Sequence, residues 1–310
     1  KELNRYFGHP SGQRKCGGFP AAHFLALFDH ATGMIQQVLP GPLFTHDMAK
    51  AHRLHPQLGH GDILLGDRGF CSFAHLALMA RNGIEAVMRL HSRRVANVKA
   101  KQFTPTSSVR LVKRLSRNDQ LVAWRKPAQC PSWMDAQQYE TLPAELIVRQ
   151  LRYRVHHRGF RSSQVALVTT LLCPKRYPLP VLAELYAQRW QVETNLRHLK
   201  TTMGMDELHC KTVDGVLKEL LAFCLVYNLV RSVMLQAAHS QAVPAQRISF
   251  IDALRWLIAN PDARAVVLLV VPCRPGRIEP RVVKRRPKEF KLLNVSRRVA
   301  KARLYARLAA

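Results

Sequence analysis

Two acidic residues have the type and placement needed for chemistry on a phosphodiester. Asp67 follows a short apolar run in "GDILLGDRGF", and Glu193 lies in "YAQRWQVETNLRHLK". Carboxylates are hard oxygen ligands that suit Mg²⁺ or Mn²⁺, and two such ions about 4 Å apart can activate a nucleophile and stabilise the leaving oxygen. We therefore predict that Asp67 and Glu193 line one cleft as metal ligands. The alternative for Asp67 is a helix N-cap or turn residue, because a helix follows it.

Three further residues share a helical stripe with Glu193. At about 100° per residue, Tyr186, Arg189, Glu193 and Lys200 fall within roughly 60° of one another, which predicts one polar face. A second, apolar stripe should dock on a core, and it consists of Val181, Leu185, Val192, Leu196, Leu199 and Met203. The alternative for the polar stripe is an ordinary solvated helix face.

The elements that must position these residues follow an α/β pattern. "HFLALFDH" and "MIQQVLPG" predict a hairpin, and a helix is expected near residues 46–55. The apolar run at 63–65 predicts a buried strand that ends just before Asp67. A helix over "FAHLALMARNG", ended by Gly83, and a strand over "IEAVMRL" should follow. In open α/β sheets, ligand sites form at the carboxyl ends of the strands, which is where Asp67 would lie.

Residues 91–163 have a different texture, which predicts an inserted, mostly β subdomain. In "ELIVRQLRYRV" the apolar Ile147, Leu151, Tyr153 and Val155 alternate with polar residues, as in a strand. "QVALVTTLL" then resumes the buried-strand pattern before the helix that holds Glu193. Beyond it, helical spacing predicts a core helix, whose apolar positions are Leu217, Leu220, Leu221, Cys224, Leu225 and Leu229.

The charge of the chain points to a polyanionic partner. The 310 residues include 48 Lys and Arg against 20 Asp and Glu, a formal net charge of +28. Residues 91–163 and the tail from Arg274 each carry a surplus of 11 positive charges, so most of the excess is localised. Nucleic acid is the expected partner. The most apolar stretch, residues 220–230, is expected to be too short to cross a membrane, and the scattered cysteines favour a reduced cytosol, with nucleoid association.

The residues resemble a known family. The spacing Tyr-x2-Arg-x3-Glu-x6-Lys, met by Tyr186, Arg189, Glu193 and Lys200, is similar to the signature of DDE transposases of insertion-sequence family four. "LLGDRGF" resembles the block around that family's second catalytic Asp, and "PRVVKRRPKEF" resembles its basic tail. The similarity extends over roughly residues 7–291.

The resemblance implies a fold and a set of roles. The fold would be a ribonuclease H-like core with a mostly β insertion subdomain and a basic helical C-terminal tail. The expected division is 1–90 and 164–240 for the core, 91–163 for the insertion and 241–310 for the helical region and tail. Asp67 and Glu193 would be catalytic residues that bind Mg²⁺ or Mn²⁺, whereas Tyr186, Arg189 and Lys200 would bind DNA. The substrates would be insertion-sequence terminal repeats and target DNA, bound by a homodimer.

The resemblance also places a first catalytic Asp upstream of the segment that "FGHPSGQRKCGGFP" resembles. The chain begins at Lys1, so we expect an N-terminal truncation that has lost this residue, and Asp29 looks like a turn residue instead. With two of three carboxylates the chain should bind metal weakly, bind DNA, and cleave it little. A catalytically inactive DNA-binding remnant is therefore the first alternative, and an RNA-binding structural protein is the second.

Histidines and tryptophans are the remaining residue types with a capacity for chemistry or base stacking. Four histidines are possible zinc ligands, but their spacings match no standard zinc site. They are His46, His52, His55 and His60. Surface or packing roles fit these histidines better. Trp124 and Trp190 are each expected either to pack in a core or to stack on a base, and the cysteines are expected to be small core residues.

Overall fold

The computed structural model describes residues 2–10, 19–90, 108–155, 163–259, 266–272 and 295–309, which form two compact units. Unit 1 combines residues 1–45 with most of the chain after residue 193, and unit 2 is built from residues 46–193. The fold is mixed α/β. The elements are, in chain order, α1 (Glu2–Phe7), β1 (Ala22–Phe28), β2 (Ile35–Pro42), α2 (Asp47–Ala51), β3 (Ile63–Gly66), α3 (Phe73–Arg81), β4 (Glu85–Arg89), β5 (Val109–Ser116), β6 (Asp119–Arg125), α4 (Ala136–Glu140), β7 (Glu145–Val155), β8 (Ser163–Thr169), α5 (Leu179–Ala187), α6 (Trp190–Arg197), α7 (Val213–Ser240), α8 (Phe250–Ala259) and α9 (Arg297–Leu308).

Unit 2 is organised around a six-stranded sheet in the order β3-β4-β8-β7-β6-β5. Strands β3 and β4 are parallel, and every later neighbour along the sheet is antiparallel. It follows that β3, β4, β7 and β5 all run in one direction, so their carboxyl ends meet at one edge. Residues that pair across the strands form a row through the whole sheet, made of Gly66, Met88, Val168, Gln150, Gln120 and Arg114.

The two faces of this sheet bury different apolar side chains, because successive residues of a strand point to opposite faces. On one face, Val122 and Val148 pack with the apolar side of α3, where Leu76 and Met79 are fully buried. On the other face, Val87, Leu151 and Leu167 pack with residues of α5, including Leu182 and Tyr186. Each face thus has its own core, and α5 is fixed over the middle of the sheet.

Unit 1 contains the predicted hairpin, β1 and β2, and the long helix α7. The helix holds the hairpin turn through polar groups. The Tyr227 hydroxyl donates to the Gly33 carbonyl at 2.9 Å, and the buried Arg231 guanidinium donates to the Thr32 carbonyl at 2.5 and 2.9 Å. Asn228 bonds both the N–H and the carbonyl of Ile35. These contacts make α7 a core helix of this unit.

Helix α7 is longer than the sequence pattern indicated. Its 28 residues make it long and apolar enough to span a membrane by length and composition, and it is the one such helix in the described ranges. The expectation that this apolar stretch is too short was therefore wrong. The buried Arg231 and the hairpin contacts of Asn228 are those of a core helix.

Several local predictions agree with the structure. The hairpin, β3, α3, β4, β7 and β8 lie where the patterns placed them. Gly83 ends α3 with a φ of +69°, and a Cβ there would meet the His60 ring at 2.2 Å, so only glycine fits. Trp124 is buried in the core beside α3, as the packing alternative stated, whereas Trp190 is 56% exposed.

Other predictions need correction. The helix expected to run from Tyr186 to Lys200 is interrupted: α5 ends at Ala187, α6 begins at Trp190, and a π-helical turn follows at His198–Thr202. In the predicted apolar stripe Val181 is exposed, and Leu182 is buried in its place. The predicted core face of α7 is also half wrong, because it buries Leu220 and Cys224 but exposes Leu221, Leu225 and Leu229.

The described strands of the predicted insertion, β5 to β7, belong to the same sheet as β3, β4 and β8. The compact units divide the chain near residues 45 and 193, and the domain division given above stays a prediction. Residues 91–107, 156–162 and 273–294, which include most of the basic tail, lie outside the described ranges, and α9 is the described helix of the tail. Of the described cysteines, Cys71 and Cys224 are buried and Cys173 and Cys210 are exposed, so the expectation of core cysteines holds in part.

Candidate active site

Asp67 is the first residue after β3, at the edge where the carboxyl ends of the parallel strands meet. Its side chain is exposed, and Oδ1 accepts a hydrogen bond from the Arg68 N–H at 2.7 Å. This bond caps the 3-10 turn Arg68–Phe70, so the capping alternative describes a real contact. A carboxylate has acceptor sites on both oxygens, so the cap leaves acceptor capacity for a second partner.

Tyr186 lies near the end of α5, and its position differs from the exposed polar stripe that was expected. The side chain is 7% exposed and packs in the core with Leu151 and Leu182. Its hydroxyl is buried and has no hydrogen-bond partner among the described residues. The pKa of Tyr186 is raised to about 12, mainly by burial; the nearby Arg189 opposes this rise and the Asp67 carboxylate adds to it. Tyr186 is therefore a neutral donor close to Asp67.

Arg189 and Glu193 form an ion pair across the turn between α5 and α6. Arg189 Nη2 lies 3.0 Å from Glu193 Oε1, and the side chains are 16% and 44% exposed, respectively. The guanidinium carbon of Arg189 is 5.8 Å from the centre of the Tyr186 ring, within cation–π range. Burial disfavours the charge of Arg189, but Tyr186, Glu193 and Asp67 together raise its pKa. The guanidinium stays charged and is held by groups from both chain segments.

The structure thus brings four predicted residues together within unit 2. Asp67 acts electrostatically on both Tyr186 and Arg189, and Arg189 bonds Glu193, although Asp67 and the other three are far apart in sequence. The sheet register explains the meeting, because α5 packs over the strands whose carboxyl ends carry Asp67. The Arg189 Nε is a second buried polar atom without a hydrogen-bond partner in the described ranges. The Tyr186 hydroxyl and the Arg189 Nε are thus two buried polar groups beside Asp67 whose hydrogen-bonding capacity the described residues leave unused.

Comparison with known proteins identifies the family of the chain. A family model described as "Transposase DDE domain" matches residues 4–229, which is most of the chain. The chain belongs to the DDE transposase family. It is 24% identical over 293 residues to "Transposase InsG for insertion sequence element IS4" from Escherichia coli (strain K12), with 88% of this chain aligned. The predicted membership of insertion-sequence family four is confirmed. The alignment covers 61% of that relative, so the chain spans about three fifths of its length.

A solved structure also resembles this DDE transposase chain weakly. It is described as "Cryo-EM structure of piggyBac transposase synaptic complex with hairpin DNA (SNHP)" and has 12% sequence identity. The likeness covers 78% of this chain and 48% of that chain, with a TM-score of 0.39.

Arg89 is a neighbour of this cluster that the sequence patterns missed. It ends β4, and because Gly66 pairs with Met88 in parallel register, Arg89 stands beside Asp67. Its charge lowers the pKa of Tyr186 and of Tyr153, which burial raises in both cases. The sequence offered a partial signal: if the two successive predicted strands pair in parallel, Arg89 at the end of the second lies at the same edge as Asp67, which follows the first.

A buried ion pair in the sheet holds the loop that precedes α5. Arg149 on β7 is fully buried and bonds Asp119 through two contacts, Nε to Oδ1 at 2.8 Å and Nη2 to Oδ2 at 2.6 Å. Its Nη1 donates to the Tyr177 carbonyl at 2.7 Å, in the loop that leads into α5. The start of the helix that carries Tyr186 is thereby tied to the sheet. The sequence analysis did not predict the burial of Arg149 or its partner.

Lys200 is not among the residues of unit 2. It is exposed, and it lies in the π-helical turn His198–Thr202, which belongs to unit 1. Its predicted role at the DNA stays a prediction.

Asp29 and the histidines, the other candidate metal ligands, have structural roles in this chain. Within the described ranges, no three His, Cys, Asp or Glu side chains are grouped so that they could hold a metal ion. Asp29 accepts hydrogen bonds from the Thr32 N–H and hydroxyl at 2.7 and 2.5 Å, which makes it a turn residue as expected. His52 and His75 stack on Trp133, at ring distances of 5.0 and 4.4 Å, and His55 packs edge-on against His75. The packing interpretation of these histidines is the one that fits.

Proposed function

We propose that this chain is a DNA transposase that hydrolyses a phosphodiester at insertion-sequence ends and transfers the freed strand to target DNA. The observation that carries the proposal is the meeting of Asp67 with Tyr186, Arg189 and Glu193 in one electrostatic cluster. In this proposal, two carboxylates, a permanent cation and a neutral donor act together at the carboxyl edge of the sheet. A scissile phosphate needs these groups: acids for metal ions and a cation for its oxygens.

The two carboxylates fit a divalent cation in donor chemistry. Asp67 is exposed with acceptor capacity beyond its cap, and Glu193 is 44% exposed with one oxygen on Arg189. Mg²⁺ or Mn²⁺ held there would lower the pKa of a bound water and neutralise charge on the phosphate. The described residues supply two acidic ligands, and the family mechanism requires three.

The remaining residues of the cluster would act on the DNA backbone. Arg189 presents a planar guanidinium that can bind two phosphate oxygens at once, and its Nε has no partner among the described residues. Tyr186 is too buried to stack on a base, so it would act through its hydroxyl and by holding Arg189 against its ring. Lys200 would add a further phosphate contact. The proposed assembly at the two transposon ends is a homodimer.

The fold that we propose for the catalytic region is ribonuclease H-like. Strand β3 is the last strand on its side of the described sheet, and Asp67 follows it directly. A further strand that paired with β3 would carry side chains into the same place. A third carboxylate on such a strand would complete the metal site.

One observation favours a second candidate, a catalytically inactive DNA-binding protein of the same family. It is the count of two acidic residues at the site within the described ranges. With two ligands the chain would bind a divalent ion weakly and bind DNA without cutting it.

The experiment that separates these functions measures nicking of labelled DNA that carries the element's own ends, in Mg²⁺ and in Mn²⁺. It compares the chain with Asp67→Asn and Glu193→Gln, and with Glu140→Gln as an exposed acidic control from the same unit. Nicking that both site variants abolish and the control keeps would support the transposase. DNA binding with no nicking by any protein would support the inactive alternative, and absence of DNA binding would contradict both.

A second readout tests the metal site without activity. Fe²⁺ with ascorbate and peroxide cleaves a polypeptide next to a bound ion. Cleavage near Asp67 and Glu193 that excess Mg²⁺ suppresses, and that either site variant removes, would place the ion at the pair. Cleavage elsewhere, or none, would contradict these ligands.

A further inference from the structure

We infer that the carboxyl edge of the six-stranded sheet is a binding track for duplex DNA, leading from Asp67 to the turn between β5 and β6. The inference rests on the proposed function and extends it, because it names the surface that would hold the DNA beside the cleavage site. It depends on residues of unit 2 alone.

The sheet register defines the track. Strands β3, β4, β7 and β5 all end at the same edge, and Arg114 lies in the same cross-strand row as Gly66, the residue before Asp67. Five strand spacings of about 4.8 Å separate β3 from β5, so the edge is about 24 Å long. At about 3.4 Å per base pair, this length corresponds to roughly seven base pairs of a duplex.

Arginines occupy this edge at intervals. Arg89 stands beside Asp67 at one end, Arg154 is the last residue but one of β7 in the middle, and Arg114 and Arg117 lie at the far end. Arg114, Arg117 and Arg154 are exposed, and none of the three forms an ion pair with another described residue. At the far end of this edge Asp119 is buried and already bonded to Arg149. Beyond the cluster that contains Asp67 and Glu193, the exposed charge of the described part of the edge is therefore positive.

The opposite edge of the same sheet is different. There Arg110 pairs with Glu145 at 2.9 Å, so part of its positive charge is neutralised. Arg125 is exposed at this opposite edge, paired with Glu145 in the strand register. It offers a matched control, since it has the same charge, a similar exposure and the same sheet, but lies away from Asp67.

Duplex DNA fits this track better than a single-stranded or protein ligand. The arginines line the edge from both faces of the sheet: Arg89 on the side of α5, and Arg114 and Arg154 on the other, as strand alternation requires. An anionic rod laid across the edge meets both sets of charges. Exposed aromatic side chains between these arginines, which a single strand would need for stacking, are not found along the described part of the edge.

The test measures DNA affinity against salt concentration for a 20-base-pair duplex. The triple variant Arg114→Gln, Arg117→Gln, Arg154→Gln is compared with the unchanged chain and with Arg125→Gln. Each lost phosphate contact lowers the slope of log affinity against log salt by about 0.9, so the triple variant should lose between two and three units of slope. The control should lose none. Because the substituted side chains are exposed, the melting temperature should not change, and it is measured for all proteins.

A second arm varies the length of duplex. For the unchanged chain, affinity should rise as the duplex lengthens to about seven base pairs beyond the cleavage point, and the triple variant should lose that dependence. Equal slopes for the triple variant and Arg125→Gln would overturn the track. If Arg189→Gln still weakens binding in that case, the proposed function stands and the inference alone fails. If no protein binds DNA, the proposed function fails as well.

Discussion

At the scale of single residues, the ring of Tyr186 stabilises the fold, whereas its hydroxyl destabilises it. Its ring packs in a core, yet its hydroxyl is buried without a partner among the described residues. A buried unsatisfied hydroxyl costs about 1–3 kcal/mol. We therefore expect the Tyr186 hydroxyl to contribute to the proposed site beside Asp67 and Arg189 and not to the stability of the fold.

Tyr186→Phe should consequently separate stability from DNA binding. The free energy of unfolding should stay the same or increase, because the ring remains and the unsatisfied hydroxyl is gone. Affinity for DNA should fall. Tyr186→Ala should lose about 3–5 kcal/mol of stability, because it empties the ring's place in the core. Chemical denaturation and a DNA titration of both variants measure these effects; a Phe variant that is less stable but binds normally would contradict the assignment.

The histidines packed around Trp133 should make unit 2 sensitive to acid. Burial lowers the pKa of His55 and of His75 to about 4, from about 6.5 in the unfolded chain. Between these values the unfolded chain binds more protons than the folded chain, so stability is full above pH 6.5 and falls as the pH drops towards 4. Thermal melts at pH 7.5, 6, 5 and 4.5 should show a steadily decreasing melting temperature.

The variant His75→Gln provides the control for this effect. Glutamine can still donate to the Met48 carbonyl, which His75 Nε2 contacts at 2.8 Å, but it does not titrate. Its melting temperature should depend less on pH over the same window. An unchanged slope would show that other groups cause the acid sensitivity, for example His198 of unit 1, whose pKa burial also lowers to about 4.

Residue types and spacing were enough to predict that Asp67, Tyr186, Arg189 and Glu193 belong together. They could not predict the burial of Tyr186, because a helical projection assigns a whole side chain either to the core or to solvent. In the structure the ring is inside and its hydroxyl points to charged neighbours. Arg89 was missed because its role depends on parallel pairing with β3, which is a property of two strands together.

At the scale of elements, the break between α5 and α6 determines how Arg189 is presented. Arg189 N–H bonds the Tyr186 carbonyl at 3.1 Å and Val192 N–H bonds the Arg189 carbonyl at 3.0 Å, so the chain tightens to a three-residue repeat there. Neither glycine nor proline marks the break, and the residues on both sides favour helix. Propensity therefore predicted one continuous helix, and tertiary packing decided otherwise.

The Arg149–Asp119 pair should be necessary for the loop before α5. Arg149→Met leaves the Asp119 carboxylate buried without its partner, which should cost about 3–5 kcal/mol. The double variant Arg149→Met, Asp119→Leu removes both charges and should recover much of that stability. Chemical denaturation of the two variants measures the difference.

DNA binding by the double variant then tests the positioning role. Arg149 also bonds the Tyr177 carbonyl, so the double variant should be folded but hold α5 less firmly. We expect weaker DNA binding at unchanged salt slope, because no phosphate contact is lost. Full affinity in a stable double variant would show that the pair supports the fold and not the site.

At the scale of the whole molecule, a net charge of +28 opposes folding and favours DNA. Like charges repel in the compact state, and salt screens that repulsion over about 8–10 Å at physiological strength. Raising NaCl from 50 to 300 mM should therefore raise the melting temperature while it weakens DNA binding. Thermal melts and binding titrations in the same buffers test both trends, and a melting temperature that falls with salt would contradict the repulsion argument.

The two outermost strands of the six-stranded sheet, β3 and β5, also differ in their capacity to pair with another strand. Strand β5 has irregular register at two points and exposes Lys113 and Arg114, features that prevent strand addition. Strand β3 is regular and carries no charged side chain within Ile63–Gly66, and Ile63 is 38% exposed. A sheet with only one open edge strand can pair with one further sheet, and the pair then has no open edge strand left. Overexpressed protein that associates through β3 should accumulate as discrete pairs, because fibre growth requires two open sides in each molecule.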